Sequence, residues 1–525
     1  MKRKFCLFAA LVFVFATASG PVGASPHRIS LQPIGSYASG IFEQGGAEIV
    51  AHDPATQRLF VVNAMAATVD VLSIVDPTAP AKLTTIDVKP YGAVANSVAV
   101  KNGIIAVAVE NAVKTDPGAV AFFDSNLQFL AKVQVGALPD MLIFSPNGRY
   151  VLVANEAEPD SNYTIDPEGS VSIIDLSRGV AKLTQADVRT AGFSAFNGAT
   201  LNSSIRIFGP GASLAQDLEP EFITVSDNSK TAWVTCQENN AIATIDIPTA
   251  TVTKLTGLGF KDHLLPDNGL DASDRDNLIN ITNWPVKGVY LPDGITSYKV
   301  GGQTFLVMAN EGDAREYAAF DEQVRVGAAS VVLDTNVFPN ATTLKNNGNL
   351  GRLRVTSTKG KNPVTGQYEE LYAFGTRSFS IRTTDGGLVF DSGDAFEVIT
   401  AAAYPTNFNA SNNNNLVDDR SDDKGPEPEG VVLGKAFGNT YAFTCLERIG
   451  GVMVYDVSDP YAPFFVDYVN FRNFSVVPTS PAAGDLGPEG MIFIKAEDSP
   501  NGKPLLVIGN EISGTTTIFE INKAN

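Results

Sequence analysis

An all-β fold, a single β-propeller, is predicted by three observations. One unit of four short strands recurs along the chain, Gly and Pro are plentiful, and charged side chains are scarce. The 525 residues include 46 Gly and 30 Pro, with 44% hydrophobic and 18% charged residues. That balance suits many short strands and turns better than long surface helices, and it is too apolar for disorder.

The clearest unit begins Pro139-Asp140-Met141-Leu142-Ile143-Phe144 and turns at Asn147-Gly148. It continues through residues 150–156, 169–176 and 181–184. These read as four strands, first to fourth from the inside outward. The pattern returns at residues 221–247 and 429–457, with further copies near Glu48, Asn96, Asp293 and Glu489 and a degenerate one over 352–393. Eight such units at a spacing of about 40–60 residues indicate a propeller. The unit at Asp293 lacks clear third and fourth strands, so seven blades is the alternative count. The last unit stops at its third strand, near residue 521, and residues 28–34 look like the missing fourth. The N-terminal strand is therefore expected to close the ring and remove its exposed edges.

Residues 1–24 have the three parts of an export signal: basic Lys2, Arg3 and Lys4, an apolar stretch over 5–18, and a small-residue cleavage site at Val22-Gly23-Ala24. The propeller then occupies 25–525. No second long apolar run and no hydrophobic C-terminal tail follow, so no membrane span is expected. The expectation is a secreted or periplasmic monomer.

The formal charge is -19, which argues against nucleic-acid binding. Only three Cys occur, excluding a disulfide scaffold or a Cys-built metal site. Cys236 and Cys445 align at one position of their second strands, filled elsewhere by Ala154, Ala309, Gly375 and Gly509. Both are read as free and buried, because equivalent positions several blades apart lie beyond the roughly 7 Å that a disulfide spans. Large insertions fall near 188–217, 257–290, 312–350, 395–428 and 471–487. Six glycosylation-type sequons, at Asn162, Asn202, Asn280, Asn340, Asn409 and Asn473, fall in predicted loops or insertions.

Aligning the starts of the first strands collects Glu48, Asn96, Asp140, Glu221, Asp293, Glu429 and Glu489. Aligning the ends of the second strands collects Met65, Glu110, Glu156, Glu238, Glu311, Arg377, Glu447 and Glu511. Antiparallel neighbours place a first-strand start beside a second-strand end, so these carboxylates should converge around one mouth of the channel. Crowded carboxylates repel, take up protons or hold a cation. The candidate metal ligands are Asp140, Glu156, Glu221, Glu238, Asp293, Glu311, Glu429, Glu447, Glu489 and Glu511, with Ca²⁺ favoured over Mg²⁺ by the number of oxygen donors. Acids that merely cap turns are the structural alternative. Arg315, Arg377 and Arg448, joined by Arg420 and Lys424, could hold an oxyanion or phosphate ester, or simply balance the acids. The run Asp418 to Glu427 should lie over the same mouth, but it lacks EF-hand spacing and also reads as a charged loop. His27, His52 and His263 share no motif, so a His-based triad or zinc site is poorly supported.

Asn310-Glu311-Gly312-Asp313-Ala314-Arg315-Glu316-Tyr317, Gly375-Thr376-Arg377-Ser378-Phe379-Ser380-Ile381, residues 420–430 and Gly509-Asn510-Glu511 resemble signatures of the choice-of-anchor I propellers, over about residues 28–522. That family is similar to the mesenchyme-specific cell-surface glycoproteins of animals. The resemblance implies a secreted propeller associated with calcium handling and biomineralisation, with phosphatase-like labels on some bacterial members. It carries over no catalytic residue. The expected function is a calcium-binding extracellular or mineral-interaction module, with a metal-dependent phosphoesterase of alkaline-phosphatase or phytase type as the alternative.

Overall fold

A computed structural model describes residues 29–524; the leader at 1–24 lies outside the described residues. Among those residues are seven four-stranded antiparallel sheets. Blade 1 runs Val50–Asp53, Arg58–Asn63, Thr68–Ser73 and Ala81–Asp87. Blade 2 fills 94–137, blade 3 runs over 139–192 and blade 4 over 220–257. Blade 6 lies within 428–469. The innermost strands touch in chain order, and that of the seventh sheet, Pro488–Ile494, returns to Val50–Asp53.

The eight units therefore correspond to seven sheets, the alternative count. The degenerate unit over 352–393 is not a blade. Blade 5 starts with Ile295–Val300 and Gln303–Asn310 and takes its outer strands from Ser378–Thr383 and Leu388–Asp391. Residues 311–377 interrupt it, which separates one sheet into two apparent repeats. This insertion and the one over 257–290 form a separate five-stranded sheet: Phe260–Asp262, Lys287–Val289, Tyr372–Phe374, Arg354–Thr356 and Gln323–Arg325. It has its own apolar cluster around Leu270, Val326, Leu350 and Tyr368.

Burial explains the weak alternation within strands. Every residue of the second strand Tyr150–Asn155 is buried, because blades cover both of its faces. Leu152 of blade 3 and Val234 of blade 4 share one core cluster. Outermost strands are different: the first four residues of Ala81–Asp87 are exposed.

The seventh sheet combines both ends of the described chain. Ile29–Ala38 pairs antiparallel with Thr515–Lys523, outside Leu505–Asn510 and Pro488–Ile494. Cys236 and Cys445 are free and buried, but their positions are not equivalent. Cys236 pairs with Pro220, whereas Cys445 lies one residue before Leu446, the partner of Pro428.

Removing residues 29–38 should leave the Thr515–Lys523 edge bare, a template for intermolecular pairing. Calorimetry and size-exclusion chromatography should show a lower melting temperature and self-association. A truncated chain that melts and elutes like the longer one would contradict this role.

Candidate functional site

The first strands begin with a local irregularity that aims the acids. In blade 3, Pro139 pairs with Asn155 and Leu142 with Val153, so Asp140 and Met141 share the space opposite Ala154. The same shift places Glu221, Glu429 and Glu489 in bulges. A bulge re-aims a side chain that a regular pleat would send into the sheet. Glycine then lets adjacent blades approach. A Cβ on Gly430 would lie 2.3 Å from the Glu489 carbonyl oxygen, and one on Gly490 would lie 2.4 Å from that of Glu48.

These devices bring twelve carboxylate side chains around one cavity of about 640 Å³, accompanied by only two basic residues, Lys424 and Arg448. Asp140, Glu156, Glu221, Asp293, Glu311, Glu429, Glu447, Glu489 and Glu511 all line it, with Glu48, Glu110 and Asp313. Glu238 is the exception. Blade 4 keeps the register of its neighbours, with Pro220 opposite Cys236 and Ile223 opposite Val234, so the residue that follows the strand end is Gln237 rather than Glu238. Gln237 consequently takes the cavity-lining place and donates to Glu311 Oε2 at 2.8 Å. Glu238 turns behind it.

Three triads stand out, each with one oxygen per residue within 4.8 Å of the others: Glu48–Glu489–Glu511, Glu156–Glu221–Glu238 and Glu311–Glu429–Glu447. The third is partly compensated. Lys424 Nζ lies 3.1 Å from Glu311, and Arg448 Nη1 lies 2.7 Å from Glu447. The other two triads have no Lys or Arg within ion-pair distance among the described residues. Glu221 and Glu238 are more than nine-tenths buried, and the Oε2 atom of each lacks a hydrogen-bond partner. Glu429 Oε2 and Glu489 Oε2 are also unpartnered.

Burial, reinforced by neighbouring acids, pushes these groups toward the protonated form. Glu48 rises to about 8 through burial and then Glu511. Glu447 rises to about 8 through burial, opposed by Arg448. Burial is again the main cause at Glu238 and Asp140, both pushed to about 7.

The arginines do not form one anion site. Arg315 is buried in an ion pair with Asp217 and with Glu219, the latter at 2.9 Å, and lies over the Phe208 ring. Arg377 is not at a second-strand end; it immediately precedes the third strand of blade 5. Its guanidinium donates to Glu397 and to the carbonyls of Asp271, Ser421 and Asp423. The sequence reading missed their acidic partners because Asp217 and Glu397 lie in insertions and Glu219 in the connection just before Pro220, all outside the repeated positions. It also missed the role of Glu427, which is fully buried and joins Arg420, Lys424 and Arg448. Burial pushes Glu427 up, but those three cations hold it well below the ordinary carboxylate range. This network seats the 395–428 insertion against the cavity wall.

A folded-state pKa above the unfolded value means that the native protein holds extra protons. The raised mouth carboxyls therefore contribute stability that is complete below about pH 4.5 and is lost as pH climbs through 7 to 8. Without divalent cations, the melting temperature should fall across that interval, and Ca²⁺ should offset the fall on the alkaline side. A flat cation-free profile would contradict this electrostatic account.

A choice-of-anchor I domain family profile matches residues 48–460. Gigasin-3a of Magallana gigas is 29% identical over 184 residues, covering 33% of this chain and 64% of that protein. The mesenchyme-specific cell surface glycoprotein of Strongylocentrotus purpuratus is 26% identical over 350 residues, covering 59% of this chain and 44% of that protein. The chain thus spans less than two thirds of the length of either relative. Among solved structures, a streptogramin B lyase aligns with TM-score 0.45 and 11% identity, covering 94% of this chain and 98% of that one. The Neurospora crassa Pan2 WD40 domain aligns with TM-score 0.46 and 9% identity, covering 95% and 97%. These structural similarities are too remote to inform function. With the family profile matched over most of its length, the chain belongs to the choice-of-anchor I family.

Proposed function

We propose that this protein is an extracellular β-propeller module that binds divalent cations, Ca²⁺ before Mg²⁺, at one end of its central channel. The carrying observation is the set of three glutamate triads, two without basic partners, with unpartnered carboxyl oxygens on Glu221, Glu238 and Glu489. All-oxygen donor sets of irregular geometry suit Ca²⁺, whereas Mg²⁺ demands a tighter octahedron and sheds its waters reluctantly. The cell-surface name of one relative supports an extracellular setting. Carboxylate-held cations with open coordination positions would also suit contact with an anionic mineral face or an acidic partner.

Binding is favoured over phosphate-ester turnover. Of the residues expected to grip an oxyanion, Arg315 and Arg377 give their donors to buried acids and carbonyls, and Arg420 and Arg448 are paired with Glu427, Arg448 also with Glu447.

Calorimetric titration with Ca²⁺ near pH 8 should show binding, and Ca²⁺ at about 100 times its Kd should stabilise the fold by about 2.7 kcal/mol. The double variant E221Q/E238Q should lose the triad shared by blades 3 and 4 while keeping its fold, because Gln preserves side-chain shape. Absence of both binding heat and a melting shift at millimolar Ca²⁺ would contradict the proposal. Metal-dependent hydrolysis of phosphate esters by the same preparation would instead favour the phosphoesterase reading.

A further inference from the structure

A second group of buried oxygens lies away from the channel, where residues 271–280 meet residues 408–423. Two fixed clamps join these segments. Arg352 bonds Asp274 through Nε at 2.7 Å and Asp422 through Nη2 at 2.8 Å. Arg377 bonds the Asp271 carbonyl at 2.6 Å and the Ser421 carbonyl at 2.7 Å.

On these two segments, three side-chain oxygens lack a hydrogen-bond partner: Asp276 Oδ2, Asn409 Oδ1 and Asp418 Oδ2. Asn409 has no solvent exposure, and Asp418 is only 5% exposed. The Asn409 amide is oriented by its neighbours. Its Nδ2 donates to Glu397 Oε1 at 2.8 Å and to Ser421 Oγ at 2.9 Å. An ionised Glu397 only accepts, so Oδ1 must point away from it. Ser421 Oγ donates in turn to Asp418 Oδ1, leaving Oδ2 free. Asp276 spends Oδ1 on the Leu278 amide. Asp271 has no spare oxygen, because the Ser273 and Asn280 amides occupy both.

Charge also favours a cation here. Asp271, Asp276, Asp418 and Glu397 act together, and burial first, then Asp271, with Asp276 and Glu397 adding, pushes the Asp418 carboxyl up to about 8. Arg377 answers Glu397 alone. Arg352 and Arg275 are committed to Asp274, and Arg352 also to Asp422. An unpaired buried amide oxygen beside buried carboxylates can be satisfied by a carboxyl proton or can ligate a hard cation, and chelator-controlled measurement separates the two.

The geometry points to a structural Ca²⁺-class site formed by Asp276, Asn409 and Asp418, which pins the 271–280 segment to the 408–423 loop and is separate from the channel-mouth triads. It accounts for the burial of Asn409, whose sequon would otherwise place it on the surface. Because Lys424 and Glu427, which directly follow this loop, bond Glu311 and Arg448, the site would hold the wall of the mouth in place.

Hydrogen exchange on the full chain, with Ca²⁺ alone as the probe and chelator as the reference, tests the proposal. Ca²⁺ should slow exchange in peptides covering 271–280 and 408–421 about tenfold or more. E221Q/E238Q should keep that protection even if the mouth no longer binds, whereas D418N should lose it. Unchanged exchange in those peptides of the unaltered chain, or full protection in D418N, would overturn the site, whatever happens at the mouth. If D418N does not fold, D276N takes its place, and full protection there would overturn the site equally.

Discussion

Electrostatic crowding at one end of the channel is the constraint on which the arrangement depends. Twelve carboxylates share a cavity with two basic residues. Desolvated like charges at such separations cannot all remain ionised without counter-charge. The protein has three responses available: proton uptake, basic side chains and bound cations. Lys424 and Arg448 pair with Glu311 and Glu447, and the Arg448 charge also opposes the burial that raises Glu511. The remaining triads have no ion-paired Lys or Arg among the described residues, and on the proposed reading protons or a bound cation balance them.

Backbone geometry creates this crowding and maintains it. Bulges at the first-strand starts turn Asp140, Glu221, Glu429 and Glu489 toward the axis. Gly294, Gly430 and Gly490, directly after Asp293, Glu429 and Glu489, bring neighbouring blades into backbone contact. Outside the ring, the insertions form a second layer fastened by buried ion pairs such as Arg315 with Asp217 and Glu219. Breaking such a pair leaves an uncompensated buried charge, typically costing about 3–5 kcal/mol. The outer layer is therefore tied to the scaffold, and Glu427 connects it to the rim of the cavity.

Much of this was legible because it repeats. The acid after proline and the acid after the second strand recur at fixed offsets, and the two strand ends must be neighbours in an antiparallel pair. The pairing of Ile29–Ala38 with Thr515–Lys523 was likewise readable from an incomplete last unit. The errors arose where the repeat stops supplying information. A long insertion split blade 5, so Arg377 was placed at a second-strand end that belongs to Glu311. Blade 4 keeps its neighbours' register but carries Gln237 directly after the second strand and its Glu one residue later. The partners of Arg315 and Arg377 come from distant insertions, and no local spacing connects them. Asn409 reads as a surface sequon, yet tertiary packing buries it.

Anomalous diffraction from crystals grown near pH 8 with Ca²⁺ tests the central claim most directly. The account predicts density peaks within ligand distance, about 2.3–2.6 Å, of carboxyl oxygens in the Glu156–Glu221–Glu238 and Glu48–Glu489–Glu511 triads. Maps without peaks there, in which the same carboxyls hydrogen-bond to one another as protonated pairs, would contradict it.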